Sequence, residues 1–327
     1  MRTKLLIFGT FFFLTLLTVA QTDTGKAMNT MLIKVNKDIY MLQAKGGNIG
    51  LSFGNEGVFM IDDQYAEGIE LIQEEIKKKS KKPVKFLVNT HFHGDHTGGN
   101  AAMAETGTII FAQDNVRKRL LETIAKETKK IPQETLPVIT FSDDLTFYYN
   151  NEKIYIFHVH NAHTDGDAMV YFTKSNVLHA GDVFFNGKYP YIDTKNGGSL
   201  KGYIAALDKA ILVINDETKI IPGHGKVGSL NDLRKTKNLL VNSFKKVTMH
   251  YMKKKTEDEV AKMKDITADY DAQGYGKGFI TTEAFLRMIY QEVDKQRGGA
   301  ADSRDAKNKQ AADKIEQMQR DLKDKKQ

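Results

Sequence analysis

The chemistry of this chain concentrates in one run, Asn89-Thr90-His91-Phe92-His93-Gly94-Asp95-His96-Thr97-Gly98-Gly99. Three histidines and an aspartate fall within six residues, among glycines, directly after an apolar stretch. A lone histidine is ordinarily a packed or surface residue, but four ligand-type side chains at a strand exit are a metal site. His91 and His93, two apart, point the same way from an extended segment, and Asp95 and His96 then turn toward a second position. One short loop does not complete a coordination shell, so further ligands must come from elsewhere. Three later segments offer them: Ala162-His163-Thr164-Asp165-Gly166-Asp167, Ala180-Gly181-Asp182-Val183 and Ile221-Pro222-Gly223-His224-Gly225. Each follows a predicted strand, where loops carry function on a rigid scaffold. The 327-residue chain has no cysteine, which removes thiolate ligands and thiol chemistry; nitrogen and oxygen hold any metal here.

The elements that must position these residues follow from periodicity and turn residues. Short strands are expected at Met31 to Val35, Ile39 to Gln43, Ile49 to Phe53 and Val58 to Asp62, with Gly46, Gly47, Gly54 and Gly57 between them. Ala66 to Lys79 carries Ile69, Ile72 and Ile76 at helical spacing. Val84 to Val88 reads as a strand buried on both faces. A helix near Asn100 to Glu105, a strand near Thr108 to Phe111 and a helix from Asn115 to about Lys129 follow. Strands return at Val138 to Phe141, Leu145 to Tyr149, Lys153 to His160, Ala168 to Thr173 and Val177 to Ala180. A helix at Leu200 to Ile214 and a strand at Lys219 to Ile221 close the series. This order, β-rich then βα, twice over, predicts two similar halves packed sheet against sheet with helices outside.

Four regions are expected: a signal peptide over 1–20, a catalytic domain over 29–228, a helical extension over 229–296 packed on it, and a charged, disordered or helical tail over 297–327. The first combines basic Arg2 and Lys4, an apolar core from Leu5 to Leu17 and small residues Thr18-Val19-Ala20. That reading implies an exported protein, periplasmic or secreted, with no stable membrane insertion after cleavage. The formal charge is +7, and +5 once Arg2 and Lys4 are removed. The excess sits in runs such as Lys77-Lys78-Lys79 and Lys253-Lys254-Lys255, which read as solvated helix faces. A nucleic-acid binder would gather its basic residues into one footprint, so nucleic acid is not expected as a partner.

The pattern His91-x-His93-x-Asp95-His96, followed by His163, Asp182 and His224, resembles the metallo-β-lactamase superfamily in order and spacing over about residues 31 to 230. The resemblance implies an α/β fold, the αββα sandwich of that family, here with the C-terminal helical extension. It also implies two Zn(2+) per chain: His91, His93 and His163 on the first, Asp95, His96 and His224 on the second, and Asp182 bridging. The implied activity is hydrolysis of a β-lactam, lactone, ester or thioester by a hydroxide shared between the ions, with Asp95 orienting the nucleophile and assisting proton transfer. Tyr189 and Tyr191 are candidates for substrate binding. Asp62, Asp63 and Asp167 are candidates to accept from ligand histidines. His158, His160 and His179 read as packing or surface residues.

Within the family, the cysteine-type lactamases carry Cys where Asp182 stands, and a substrate-binding lysine where Phe185 stands. Asp182 is closer to the pattern of lactonases, glyoxalase-II-like thioesterases and phosphodiesterases. The rival readings are a phosphodiesterase of the same fold, a mononuclear iron dioxygenase acting on sulfur compounds, and a non-catalytic metal-binding module.

Overall fold

The computed structural model describes residues 29–126 and 133–297. The expected signal segment and the tail beyond 297 lie outside these residues. The first half contains strands β1 (Met31–Asn36), β2 (Ile39–Gln43), β3 (Ile49–Gly54), β4 (Gly57–Ile61), β5 (Val84–Asn89), β6 (Ile109–Gln113) and β7 (Ile139–Phe141). They form one seven-stranded sheet in sequential order. β1 to β4 pair antiparallel, and β4 to β7 pair parallel. The second sheet orders β12 (Lys219–Ile221), β11 (Val177–His179), β10 (Ala168–Phe172), β9 (Glu152–His158) and β8 (Asp144–Tyr149). The two-sheet reading therefore holds, with unequal halves.

Period-two alternation decides what each face of the first sheet buries. Phe59 and Ile61 of β4 join Val88 and Phe111 in an inter-sheet core with Ile154, Ile156, Val170 and Phe172 of the second sheet. Val58 and Met60, on the opposite face, pack with Ile69, Ile72 and Ile76 of α1 (Ile69–Lys79). Ile72 is wholly buried, and truncating it to alanine costs about 2–5 kcal/mol. β5 departs from the sequence expectation. Leu87, Val88 and Asn89 are buried, but Lys85 is exposed and Val84 and Phe86 are half-buried. The strand enters the sheet from the surface, and only the end that feeds the histidine loop is covered on both faces.

The remaining helices of the first half are α2 (Gly94–Thr97), α3 (Asn100–Glu105) and α4 (Asp114–Lys126). The single turn α2, inside the histidine run, is too short to carry a helical period in the sequence. The last residues expected in α4 lie outside the described residues. The outer face of the second sheet is covered by α5 (Leu200–Val213) and α6 (Leu230–Met252). Ser199 caps α5, and a Ser229/Asp232 capping box starts α6. Beyond lie α7 (Glu257–Ala261), α8 (Ala268–Asp271) and α9, over 282–297 among the described residues. Phe285, Leu286, Ile289 and Val293 of α9 share one core with Leu200, Tyr203 and Leu207 of α5 and with Leu233 and Leu240 of α6. Glu292 of α9 accepts from Leu200 N at the start of α5 at 3.2 Å. Among the described residues no helix is long and apolar enough to cross a membrane.

Candidate metal centre

All seven predicted ligands converge where strands of both sheets end. The loop after β5 brings His91, His93, Asp95 and His96, and the β9–β10 connection brings His163. The ends of β11 and β12 supply Asp182 and His224. Two groups result, each with its ligand-type atoms within 4.8 Å of one another: His91, His93, His163 and Asp182, and Asp95, His96 and His224. Asp182 lies between them. Its Oδ2 is 3.5 Å from His163 Nε2 and 3.9 Å from His91 Nε2, whereas its Oδ1 is 3.1 Å from His96 Nε2 and 3.4 Å from His224 Nε2. Asp95 Oδ2 is 3.2 Å from His224 Nε2.

The outer nitrogens of four of the imidazoles are already occupied. His96 Nδ1 donates to Asp62 Oδ2 at 2.7 Å, and His93 Nε2 to Asp193 Oδ2 at 3.0 Å. His163 Nδ1 donates to the Tyr191 carbonyl at 2.9 Å. Thr90 Oγ1 gives its proton to Asp62 and so accepts from His91 Nδ1 at 3.0 Å. With protons on the outer atoms, the inner nitrogens of His91, His93 and His163 present lone pairs to a common space. His93 Nδ1 and His163 Nε2 face each other at 2.9 Å, which only a shared proton or a cation relieves. His91 Nε2 is buried with no hydrogen-bond partner, a costly state in a protein that offers it nothing else.

Electrostatics point the same way. Burial pushes His163 down to about 4 and His91 well below the imidazole range, so both are neutral, the ligand form. At His96 and His224 burial also opposes charge, but carboxylates win. Asp182 and Asp62 hold His96 well above its usual value, and Asp182 and Asp95 hold His224 at about 9. Asp182 itself is held well below the carboxylate range, because His96 and His224 outweigh its burial. The pocket thus demands positive charge at its centre, and these donors fit divalent metal ions.

Three further features position the ligands. Asp62 has a left-handed backbone, φ 60°, which is strained for a non-glycine residue, and its carboxylate also accepts from Thr90 N at 2.7 Å. Of the three carboxylates expected to support histidines, Asp62 touches one directly. Asp63 accepts from Gly99 N, and Asp167 from Thr164. Asp193, which holds His93, is not among the residues the sequence singles out: it lies one hundred residues away in an irregular loop, where spacing carries no signal. Gly47 and Gly223 let backbone pass close to ligands. A Cβ on Gly47 would stand 2.2 Å from His96 Cε1, and one on Gly223 would stand 2.0 Å from Asp182 Oδ1.

A cavity of about 430 Å³ opens beside the cluster, lined by His93, Asp95, Asp182 and His224 together with Lys45, Tyr65, Phe185, Lys188, Tyr189, Tyr191, Phe279 and Ile280. Phe185 stacks on His224, with ring centroids 5.1 Å apart. Tyr191 sits beside the rings of His93 and His163. Tyr189 borders the cavity but is 1% exposed, stacks on Phe285 and donates its hydroxyl to Asp271, so that hydroxyl is committed to the fold. His158 donates to the Asp167 carbonyl, and His179 to the Asn48 carbonyl. His160 is exposed.

The family model described as metallo-beta-lactamase superfamily matches residues 45–224, which contain all seven ligand-type residues. The chain belongs to this superfamily. It is 23% identical over 188 residues, 57% of this chain and 69% of the relative, to a metallo-beta-lactamase type 2 of Bacillus sp. (strain 170). It is 27% identical over 220 residues, 64% of this chain and 99% of the relative, to the hydroxyacylglutathione hydrolase GloC of Haemophilus influenzae. A solved metallo-beta-lactamase from Pontibacter korlensis superposes with a TM-score of 0.57 at 22% identity, covering 65% of this chain and all of that one. The fold is therefore that of the superfamily with added C-terminal helices. The chain is a superfamily hydrolase with a histidine and aspartate metal site.

Proposed function

We propose that this superfamily member binds two zinc ions and hydrolyses an acyl bond in a small molecule: a β-lactam, lactone, ester or thioester. The observation that carries the reading is the divided carboxylate of Asp182, with Oδ2 turned to His91 and His163 and Oδ1 to His96 and His224. A carboxylate so placed would serve two metal positions at once. Zinc suits a donor set of imidazoles and carboxylates in a chain without cysteine. When bound, such a pair of ions acidifies water and polarises the acyl oxygen.

The protein's own residues supply the rest. Asp95 is half-buried at the cavity, and His224 and His96 outweigh its burial and keep its carboxylate ionised. It is placed to orient water and to carry its proton to the leaving group. The Phe185 ring fixes the plane of His224, and Tyr191 covers His93 and His163, which limits water around the cluster. The names of the two relatives, one for lactams and one for hydroxyacylglutathione, support acyl-bond hydrolysis.

The test is metal analysis of the purified protein together with hydrolysis of a β-lactam, a lactone and a thioester. Two zincs per chain and turnover of one of these substrates is the expected result. One iron per chain with no hydrolysis would overturn the reading in favour of a mononuclear iron dioxygenase.

A further inference from the structure

The segment between α8 and α9 reaches the cavity beside the metal cluster from outside the 45–224 family match. Its base is rigid. Asp271 Oδ1 accepts from Tyr189 and Thr282, and Asp271 Oδ2 accepts from Thr267 at 3.0 Å. Tyr189 in turn stacks on Phe285 of α9, with ring centroids 4.4 Å apart. From this base Phe279 projects with 85% of its surface exposed, touching only the edge of Tyr191 among the rings, at 6.0 Å. A single exposed phenylalanine is ordinary on a protein surface. Phe279 and Ile280, however, line the same cavity as His93, Asp95, Asp182 and His224, and they continue the apolar surface of Phe185 and Tyr191.

We propose that Phe279 and Ile280 form an apolar wall that receives the hydrocarbon part of the substrate, which makes the substrate class acyl compounds with an extended aliphatic or aromatic group. For its reaction this rests on the hydrolase reading above; for its binding it does not. The wall faces the space beside Asp95 and His224, so a group held there leaves its carbonyl end at the cluster. The helical extension then acts as a specificity element, and its packing on α5 and α6 fixes the wall in place.

Straight-chain alkanoates from butanoate to decanoate probe the wall by calorimetry, with and without zinc. Each buried methylene is worth roughly fourfold in affinity, so half-covering the methylenes added from butanoate to decanoate gives a rise on the order of fiftyfold. Phe279→Ala removes most of that rise, and Phe279→Leu restores part of it. The side chain is exposed, so its truncation opens no internal cavity, and an unchanged melting curve checks the fold. Affinity independent of chain length in the wild type, or the same rise in Phe279→Ala, would overturn the proposal. The p-nitrophenyl esters of the same acids separate the two readings. Chain-dependent alkanoate binding without ester, lactone, thioester or β-lactam hydrolysis leaves the wall standing and removes the acyl-bond reading. Hydrolysis with no chain-length preference does the reverse.

Discussion

Replacing Gly47 with alanine tests whether backbone proximity, rather than the ligand set alone, builds the second metal position. The new Cβ would lie 2.2 Å from His96 Cε1 and 2.4 Å from Nε2, against the 3.4 Å at which ordinary contact begins. Something must retreat by about 1.2 Å. The imidazole has little freedom to do so, being fully buried and tied through Nδ1 to Asp62 at 2.7 Å. The loop is also held: Gly47 N donates to the Asp95 carbonyl at 3.0 Å, and Gln64 bonds Gly46 N and the Gly47 carbonyl. Overpacking of this kind costs about 1–3 kcal/mol, and displacing a group by 1 Å in an active site costs on the order of a hundredfold in rate. Gly47→Ala is therefore expected to lose most binding at the Asp95, His96 and His224 position while keeping one metal at His91, His93 and His163. The assay is metal per chain after desalting, paired with kcat/KM as zinc is titrated back. Gly94→Ala, whose Cβ meets nothing within 4 Å, serves as the metal-content control. Two metals and wild-type kcat/KM in Gly47→Ala would refute the reasoning.

Other perturbations read separate parts of the site. Asp62→Asn cannot accept from both Thr90 and His96 as the carboxylate does, and should weaken the second metal roughly 10–100-fold, measured by competition with a chelating dye. Asp193→Asn should weaken the first metal by a similar factor, and unchanged affinity would show that His93 needs no acceptor. His93→Ala should abolish nearly all hydrolysis, and full activity would remove it from the ligand set. Zinc uptake should release protons at pH 7, because carboxylates hold His224 at about 9 and raise His96 in the metal-free protein. Apparent affinity then climbs as pH rises toward 9, and calorimetry in buffers of different ionisation enthalpy counts the protons. Zinc at a thousandfold excess over its Kd should add roughly 4 kcal/mol of stability, read as a higher melting temperature; a chelator should reverse it.

Much of this protein is legible along the chain, because its signals are local. The histidine run sits at one strand exit, and each remaining ligand follows its own apolar strand with glycine nearby, so types, order and strand-end positions need no tertiary knowledge. The helical spacing of Ile69, Ile72 and Ile76 likewise declares which face of α1 is buried. The rest depends on approaches between segments far apart in the chain, which no periodicity encodes. Only the folded chain sends the two oxygens of Asp182 to different histidine groups, sets Asp193 behind His93, and brings the Gly47 backbone against His96. Tyr189 shows the limit most plainly. Its proximity to Asp182 in sequence suggested a substrate contact, yet a partner 82 residues away, Asp271, claims its hydroxyl, and the same contact anchors the segment that carries Phe279 to the cavity.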